Sequence, residues 1–151
     1  MLTFITKLSP RNKDFFCLAC ILIISAIASH PLFKAQIIDF NDSFVALVKT
    51  VGVTVAWQEG DRLARWMPDI NAGYGYPLLN FYPPLFSYLS ALASLLTQNY
   101  MIGTNIVWIA GFFFSGVTMF YLAREFWGRL GALLSATAYI YVPFHFCDIY
   151  I

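Results

Sequence analysis

Three stretches of the chain carry no charged residue, and each is long enough to cross a bilayer as a helix. The first, 15–33, has 19 residues, which span about 28 Å at about 1.5 Å per residue, close to the roughly 30 Å of bilayer hydrocarbon. The others, 101–123 and 130–147, contain 23 and 18 residues. The pattern therefore predicts three transmembrane helices, with a short connection at 124–129 between the second and the third.

A more polar segment, 34–100, separates the first two predicted spans, and all nine of its charged residues lie within 34–69. Asn41 or Asp42 is suited to cap a helix that begins at Ser43, because its side-chain oxygen accepts a hydrogen bond from a first-turn N–H group. We predict a helix over about 43–58, whose apolar stripe at helical spacing suits the membrane surface. The stripe comprises Phe44, Leu47, Val48, Val51 and Val55.

A second helix in this segment, about 84–97, is predicted after the Pro83-Pro84 pair. Its apolar part, Leu85 to Leu96, has 12 residues. Twelve helical residues reach only about 18 Å, which is too short to cross the hydrocarbon. We therefore predict that this helix inserts only partly into the membrane.

Basic residues predict the orientation. Three of them, Lys7, Arg11 and Lys13, precede the first span, so the positive-inside rule places residues 1–14 in the cytoplasm. With three spans, the loop 124–129 is also cytoplasmic, whereas 34–100 and 148–151 lie on the outer face. A fourth crossing by 84–97 would put most basic residues outside, against the rule. A cleaved signal peptide ending near 26–28 is an alternative for the first apolar run.

The composition supports a membrane protein. The chain is 60% hydrophobic and only 11% charged, whereas a soluble domain has about 25% charged residues. We predict an all-α, polytopic integral membrane protein whose partner is the lipid bilayer. A net charge of +1 without a basic cluster argues against a nucleic-acid partner.

The densest motif lies between the two helices of the polar segment. It runs Gly60-Asp61-Arg62-Leu63-Ala64-Arg65-Trp66-Met67-Pro68, then Gly73-Tyr74-Gly75-Tyr76-Pro77, then Asn80-Phe81-Tyr82-Pro83-Pro84-Leu85. Its glycines permit turns, and its aromatic rings are of the kind that lie among lipid headgroups. The last predicted span ends in Pro143-Phe144-His145-Phe146-Cys147-Asp148-Ile149-Tyr150.

The order of these motifs resembles the N-terminal part of GT-C-type membrane glycosyltransferases. It is most similar to the bacterial family labelled membrane protein, 6-pyruvoyl-tetrahydropterin synthase-related. Two features depart from that family: Ala46 stands where a histidine is frequent, and the chain stops at Ile151, before an Arg-Gly segment. Because GT-C proteins have more spans, we expect either a fragment of a larger bacterial inner-membrane protein or a truncated gene product, inactive by itself.

The resemblance implies the transfer of a sugar from a polyprenyl-phosphate donor at the outer face. Asp42, or alternatively Asp39, would act as the general base on the acceptor hydroxyl. Asp42 and Asp148 would hold a divalent cation, Mg²⁺ or Mn²⁺. The expected substrate-binding residues are Arg62, Arg65, Tyr76, His145 and Asp148.

Simpler interpretations of the same residues stay open. Asp39 and Asp42 also suit the start of a surface helix, and Arg62 and Arg65 also suit lipid headgroups. The alternative functions are a non-catalytic membrane scaffold or assembly protein of the same fold, and a component that handles or transports lipids. The transport hypothesis is weakened because the three predicted spans contain no Asp, Glu, Lys or Arg.

Overall fold

The computed structural model describes residues 10–34 and 41–143, with Asp42 described by its backbone alone. Helices dominate these two ranges, and no β-strand occurs in them, which confirms the predicted all-α class. The helices are α1 (Pro10–Ala28), α2 (Asn41–Gln58), α3 (Leu78–Phe81), α4 (Pro84–Thr97) and α5 (Tyr100–Ile140), with a single 3₁₀ turn at His30–Phe33.

Two compact units divide these residues. The first unit contains residues 10–31 and 109–143, and the second contains 32–34 and 41–108. The long helix α5 contributes residues to both units.

In the first unit, α5 reverses direction at Gly128. This residue has φ 65° and ψ −171°, which is not helical. A β-carbon placed on Gly116 would lie 2.6 Å from Cδ1 of Ile140, although 24 residues along a straight helix cover about 36 Å. Residues 109–127 and 129–140 therefore lie side by side. The reversal falls within the predicted connection 124–129.

Helix α1 packs on this hairpin and ends earlier than the apolar pattern. The hydroxyl of Ser25 donates a hydrogen bond of 3.4 Å to the carbonyl of Phe112. The apolar run 15–33 is not one continuous helix, since α1 ends at Ala28 and the 3₁₀ turn follows. The physical reason is Pro31, which has no N–H group to continue the hydrogen bonds of the α-helix.

Large apolar side chains of the first unit point outward. The hairpin interior holds small residues such as Ala123, Ala132 and Ala136 beside Phe120 and Ile140. Its exposed apolar side chains include Phe15, Leu22, Ile23, Ile27, Phe114, Leu122, Leu130 and Leu134. Small residues inside and large apolar residues outside are typical of helices that pack within lipid.

One helix of the described residues, Tyr100–Ile140, is long and apolar enough to cross a membrane. Two others, Ser43–Gln58 and Pro84–Thr97, are apolar but shorter. This composition supports membrane association of the chain.

In the second unit, α2 packs against α4 through small and hydroxyl-bearing side chains. Three hydroxyls in this interface donate to carbonyls one turn earlier: Thr50 to Ala46 at 2.9 Å, Thr54 to Thr50 at 2.8 Å and Ser94 to Ser90 at 2.7 Å. These bonds offset the cost of burying polar atoms. The buried hydroxyls of Ser87 and Ser90 have no hydrogen-bond partner among the described residues. The buried residues are Ala46, Thr50, Val53 and Thr54 of α2 and Ser87, Ser90, Ala91 and Ser94 of α4.

The predicted apolar stripe of α2 is therefore not its most buried face. Phe44 is 60% exposed, and the other four stripe residues are half-buried. Those four line a cavity of about 290 Å³ together with Met67 to Ile70. The stripe lies beside the loop after α2. The helix α4 packs on the other face of α2 instead, because the small residues there allow a closer approach.

Candidate functional site

A second cavity lies in the second unit, on a different face of α2. Its volume is about 460 Å³, within the range of about 300–1,000 Å³ that is usual for ligand sites. One cation, Lys49, is among the lining residues, and its Nζ lies 4.5 Å from the centroid of the Tyr82 ring. The lining residues are Val45, Ala46, Lys49, Tyr82, Pro83, Phe86 and Trp108. We call this the Lys49 cavity.

Three segments position the Lys49 cavity. Tyr82 and Pro83 connect α3 to α4 without helical geometry. Phe86 lies in the first turn of α4, which begins at Pro84. The rings of Phe86 and Trp108 lie with their centroids 4.6 Å apart, which joins α4 to α5. The hydroxyl of Thr104 lies 3.2 Å from that of Thr50 and joins α5 to α2. The cavity is therefore bounded by packed helices and a proline-stiffened turn.

The backbone of Asp42 belongs to the same face of α2 as this cavity. Ala46 follows it by one turn and Lys49 by two, a distance of about 10 Å along the helix axis. The predicted capping role requires Asp42 to lie just before the helix. Because α2 begins at Asn41, Asp42 lies in its first turn instead.

The predicted residues Arg62, Arg65 and Tyr76 lie in the loop between α2 and α3 and do not line the Lys49 cavity. The guanidinium of Arg65 is exposed and donates a hydrogen bond of 3.3 Å to the Asn80 side chain. The ring of Tyr76 stacks on Phe81 with centroids 6.0 Å apart. Arg65 and Tyr76 therefore have structural partners in the adjacent helix α3.

The Gly-Tyr-Gly-Tyr-Pro motif forms a tight turn against Trp66. Gly75 has φ 76°, and a β-carbon there would lie 2.6 Å from Trp66 Cε2. Two backbone hydrogen bonds, of 3.1 and 3.0 Å, pair Met67 with Tyr76. Glycine is therefore required at position 75 for both conformation and space. The local architecture explains this part of the motif.

Further predicted residues lie outside the described ranges. These are Asp39, His145 and Asp148, so the predicted cation pair, Asp42 and Asp148, stays a prediction. His30 is exposed in the 3₁₀ turn. Among residues 10–34 and 41–143, no three His, Cys, Asp or Glu side chains form a group that would hold a metal ion.

Lys49 is the residue that sequence reasoning missed. The pattern placed it off the apolar stripe, where a lysine on a surface helix needs no special role. Its spacing of seven residues from Asp42 was the available signal, since that spacing puts both residues on one helix face. Its contact with Tyr82 depends on the packing of α2 beside the turn that begins α4.

Comparison with known proteins identifies no family. No family model matches the chain, and no solved structure matches it. An uncharacterized protein of Lactococcus lactis subsp. cremoris strain MG1363 is 22% identical over 109 residues. The match covers 72% of this chain and 17% of that protein. The chain thus spans about a sixth of the length of this relative.

Proposed function

We propose that the chain forms the donor-binding membrane part of a GT-C-like glycosyltransferase that uses a polyprenyl-phosphate-linked sugar at the outer face. The observation that carries this proposal is the Lys49 cavity on the helix face of Asp42. A lysine suits the phosphate of such a donor, and aromatic rings suit the face of a sugar. The resemblance of the motifs supplies the reaction class.

The proposal includes three spans with a cytoplasmic N-terminus in a bacterial inner membrane. The reversal at Gly128 supports two spans within the long apolar helix α5, one on each side of the reversal. The exposed leucines of α4, at spacings of four, three and four residues, support its partial insertion. They are Leu85, Leu89, Leu92 and Leu96. This topology assigns the second unit to the outer face.

In the proposed reaction, the Asp42 carboxylate accepts the proton of the acceptor hydroxyl. The hydroxyl oxygen forms a bond to the anomeric carbon of the sugar, and the bond from that carbon to the phosphate oxygen breaks. The polyprenyl phosphate leaves with the electron pair of the broken bond. The ammonium of Lys49 stabilises the negative charge of the leaving phosphate. The described residues that line the cavity include no carboxylate that would bind Mg²⁺ or Mn²⁺.

The role of Asp42 is tested in cells that lack the gene and are complemented with variants. We expect Asp42→Asn to abolish formation of the glycosylated product, measured by mass spectrometry of extracted glycolipids and glycans, because an amide accepts no proton at neutral pH. Asp39→Asn distinguishes the alternative base. Glu59→Gln, at the other end of α2, is the matched control and should leave the product unchanged.

Two results would contradict the proposal. If Asp42→Asn and Asp39→Asn both retain the wild-type product, neither carboxylate is the base. If deletion of the gene changes no glycan or glycolipid but impairs assembly of other membrane proteins or lipid distribution, the scaffold or lipid-handling function replaces the glycosyltransferase.

A further inference from the structure

The cavity of about 290 Å³ beside the apolar stripe of α2 combines apolar walls with one carboxylate. Its lining residues come from α2 and from the loop segment 67–70. Among the described residues that line it, only Asp69 is charged. The side chains from α2 include Leu47, Val48, Val51 and Val55. We call this the Asp69 cavity.

Contacts within the second unit hold the walls of the Asp69 cavity in place. A β-carbon placed on Gly52 would lie 2.7 Å from Sδ of Met67, so Met67 packs directly on the backbone of α2. Two backbone hydrogen bonds pair Met67 with Tyr76. The N–H of Gly75 donates a further bond of 3.0 Å to the carbonyl of Ile70. Both ends of the loop wall are therefore fixed, as is usual for a ligand site that exists before its ligand binds.

The size and the polarity of the Asp69 cavity favour a ligand with an apolar body. An apolar cavity of about 150 Å³ stays free of water and binds benzene, and the Asp69 cavity is larger. Its aliphatic side chains offer no hydrogen bond to water, so an apolar group that fills the space is favoured over solvent. The cavity has room for an aromatic ring that carries a short alkyl chain.

The carboxylate of Asp69 favours a ligand of positive charge. Asp69 is exposed, and its side chain forms no hydrogen bond or ion pair with another described residue. A carboxylate attracts an ammonium group and repels a phosphate or a second carboxylate. In an aminophospholipid the phosphate lies close to the ammonium, so Asp69 would gain little net attraction. Charge complementarity therefore favours a free amine over a zwitterionic lipid.

We infer that the Asp69 cavity binds a free amphipathic amine, with its apolar body against the valines of α2 and its ammonium at the carboxylate of Asp69. This ligand has the opposite charge to the proposed phosphate donor. The inference therefore assigns a second site to the second unit and does not rest on the proposed function.

Three ligands of similar shape and different charge test the wild-type chain. The 151-residue chain is reconstituted in nanodiscs of phosphatidylcholine. Phenylbutylamine, phenylbutanol and phenylbutyrate are titrated at neutral pH by isothermal titration calorimetry, with empty nanodiscs as the reference. We expect the amine to bind about tenfold more tightly than the carboxylate, with the alcohol between them, because attraction and repulsion at an exposed carboxylate each change the affinity by a few-fold. Equal affinities would overturn the inference.

A substitution of Asp69 tests the residue. Asp69→Asn should reduce the difference between amine and carboxylate to about twofold or less, because an amide carries no charge. Glu59→Gln is the matched control and should keep the difference, since Glu59 is an exposed carboxylate that does not line the cavity. If Glu59→Gln removes the difference and Asp69→Asn keeps it, the assignment of Asp69 is wrong.

A larger side chain on α2 tests the location. Val51→Phe fills part of the cavity and should weaken all three ligands by at least about tenfold. Leu63→Phe, at an exposed leucine outside the cavity, should leave the affinities unchanged. Circular dichroism shows whether each variant folds, and Val48→Phe narrows the same cavity if Val51→Phe does not fold. A folded cavity variant with wild-type affinity for the amine would contradict the inference.

Lipid composition distinguishes the free amine from a membrane lipid. Phosphatidylethanolamine in place of half of the phosphatidylcholine should change the affinity for phenylbutylamine by less than about twofold. Displacement of the amine would show that an aminophospholipid occupies the cavity, and the inference would be wrong. Because this binding does not depend on sugar transfer, failure of the proposed function and failure of this inference give separate results.

Discussion

Asp14 lies between two arginines that flank the reversal of α5. Its Oδ1 accepts a hydrogen bond of 2.7 Å from Arg129 Nε, and its Oδ2 accepts one of 3.0 Å from Arg124 Nη1. The hydrogen bond from Arg129 lowers the pKa of Asp14 below its usual 3.8, with a further contribution from the charge of Arg124. In the first unit, Asp14 therefore links the beginning of α1 to both helical segments of the hairpin.

This contact predicts a pH-dependent stability. Because the pKa of Asp14 is lower in the folded state, its stabilisation is present above pH 3.8 and is lost as the pH falls through the folded-state value. We expect Asp14→Asn to lower the melting temperature in detergent at pH 7, and to differ little from wild type well below pH 3.8. Thermal unfolding followed by circular dichroism measures both.

Glu59→Gln is the control for this prediction, since Glu59 is an exposed carboxylate at the end of α2. A difference between wild type and Asp14→Asn that is equally large at both pH values would contradict the ionic explanation. It would indicate packing of the side chain instead.

At the scale of elements, the helices of this chain reverse the pattern of soluble proteins. Helix α4 buries Ser87, Ser90 and Ala91 and exposes Leu85 and Leu96. Hydrophobic periodicity predicted that these helices exist, but it did not predict which face packs on protein. When the solvent is lipid, apolar residues are favourable on both faces, so residue size, and not polarity, distinguishes them.

Gly128 is the residue on which the hairpin depends. Its φ of 65° and ψ of −171° belong to a region that is open almost only to glycine, so we expect Gly128→Ala to destabilise the fold by about 1–3 kcal/mol. Gly111→Ala is the matched control, because Gly111 lies inside α5 with open space around its Cα. That change should be neutral or stabilising by about 0.5–1 kcal/mol.

Unfolding of both variants by a denaturant in mixed micelles gives the comparison. If Gly128→Ala is as stable as Gly111→Ala, the chain does not need the glycine conformation at the reversal, and a continuous helix over 100–140 becomes the better description.

At the scale of the whole molecule, the distribution of basic residues predicts which side of the membrane each part faces. The predicted cytoplasmic segments carry five of the nine basic residues within short stretches. The outer-face segment carries the other four over a much longer loop, which agrees with the positive-inside rule. This distribution is a property of the sequence and does not depend on how the helices pack.

The topology is tested by cysteine accessibility in a background without native cysteines. We expect Trp127→Cys, beside the reversal of α5, to react with an impermeant maleimide only after the cells are permeabilised. Tyr74→Cys, in the exposed loop after α2, should react in intact cells. Labelling of position 127 from outside would contradict the three-span topology and place Asp148 in the cytoplasm.

Composition and pattern by themselves predicted the all-α class, which the structure confirms, together with membrane association and approximate positions for the helices. These depend on local hydrophobicity and on turn residues such as the Pro83-Pro84 pair, which act within a few residues along the chain. The family resemblance of the motifs also indicated Asp42 as a candidate.

Tertiary structure alone decided which residues meet. The contact of Lys49 with Tyr82 joins positions 33 residues apart, and the contact of Gly116 with Ile140 requires a reversed chain. Such contacts depend on how closely two helices approach, which small residues of both helices set together. For that reason the sequence placed the candidate site at the motif that contains Arg62 and Arg65, whereas only the packed structure shows that Lys49 lines a cavity.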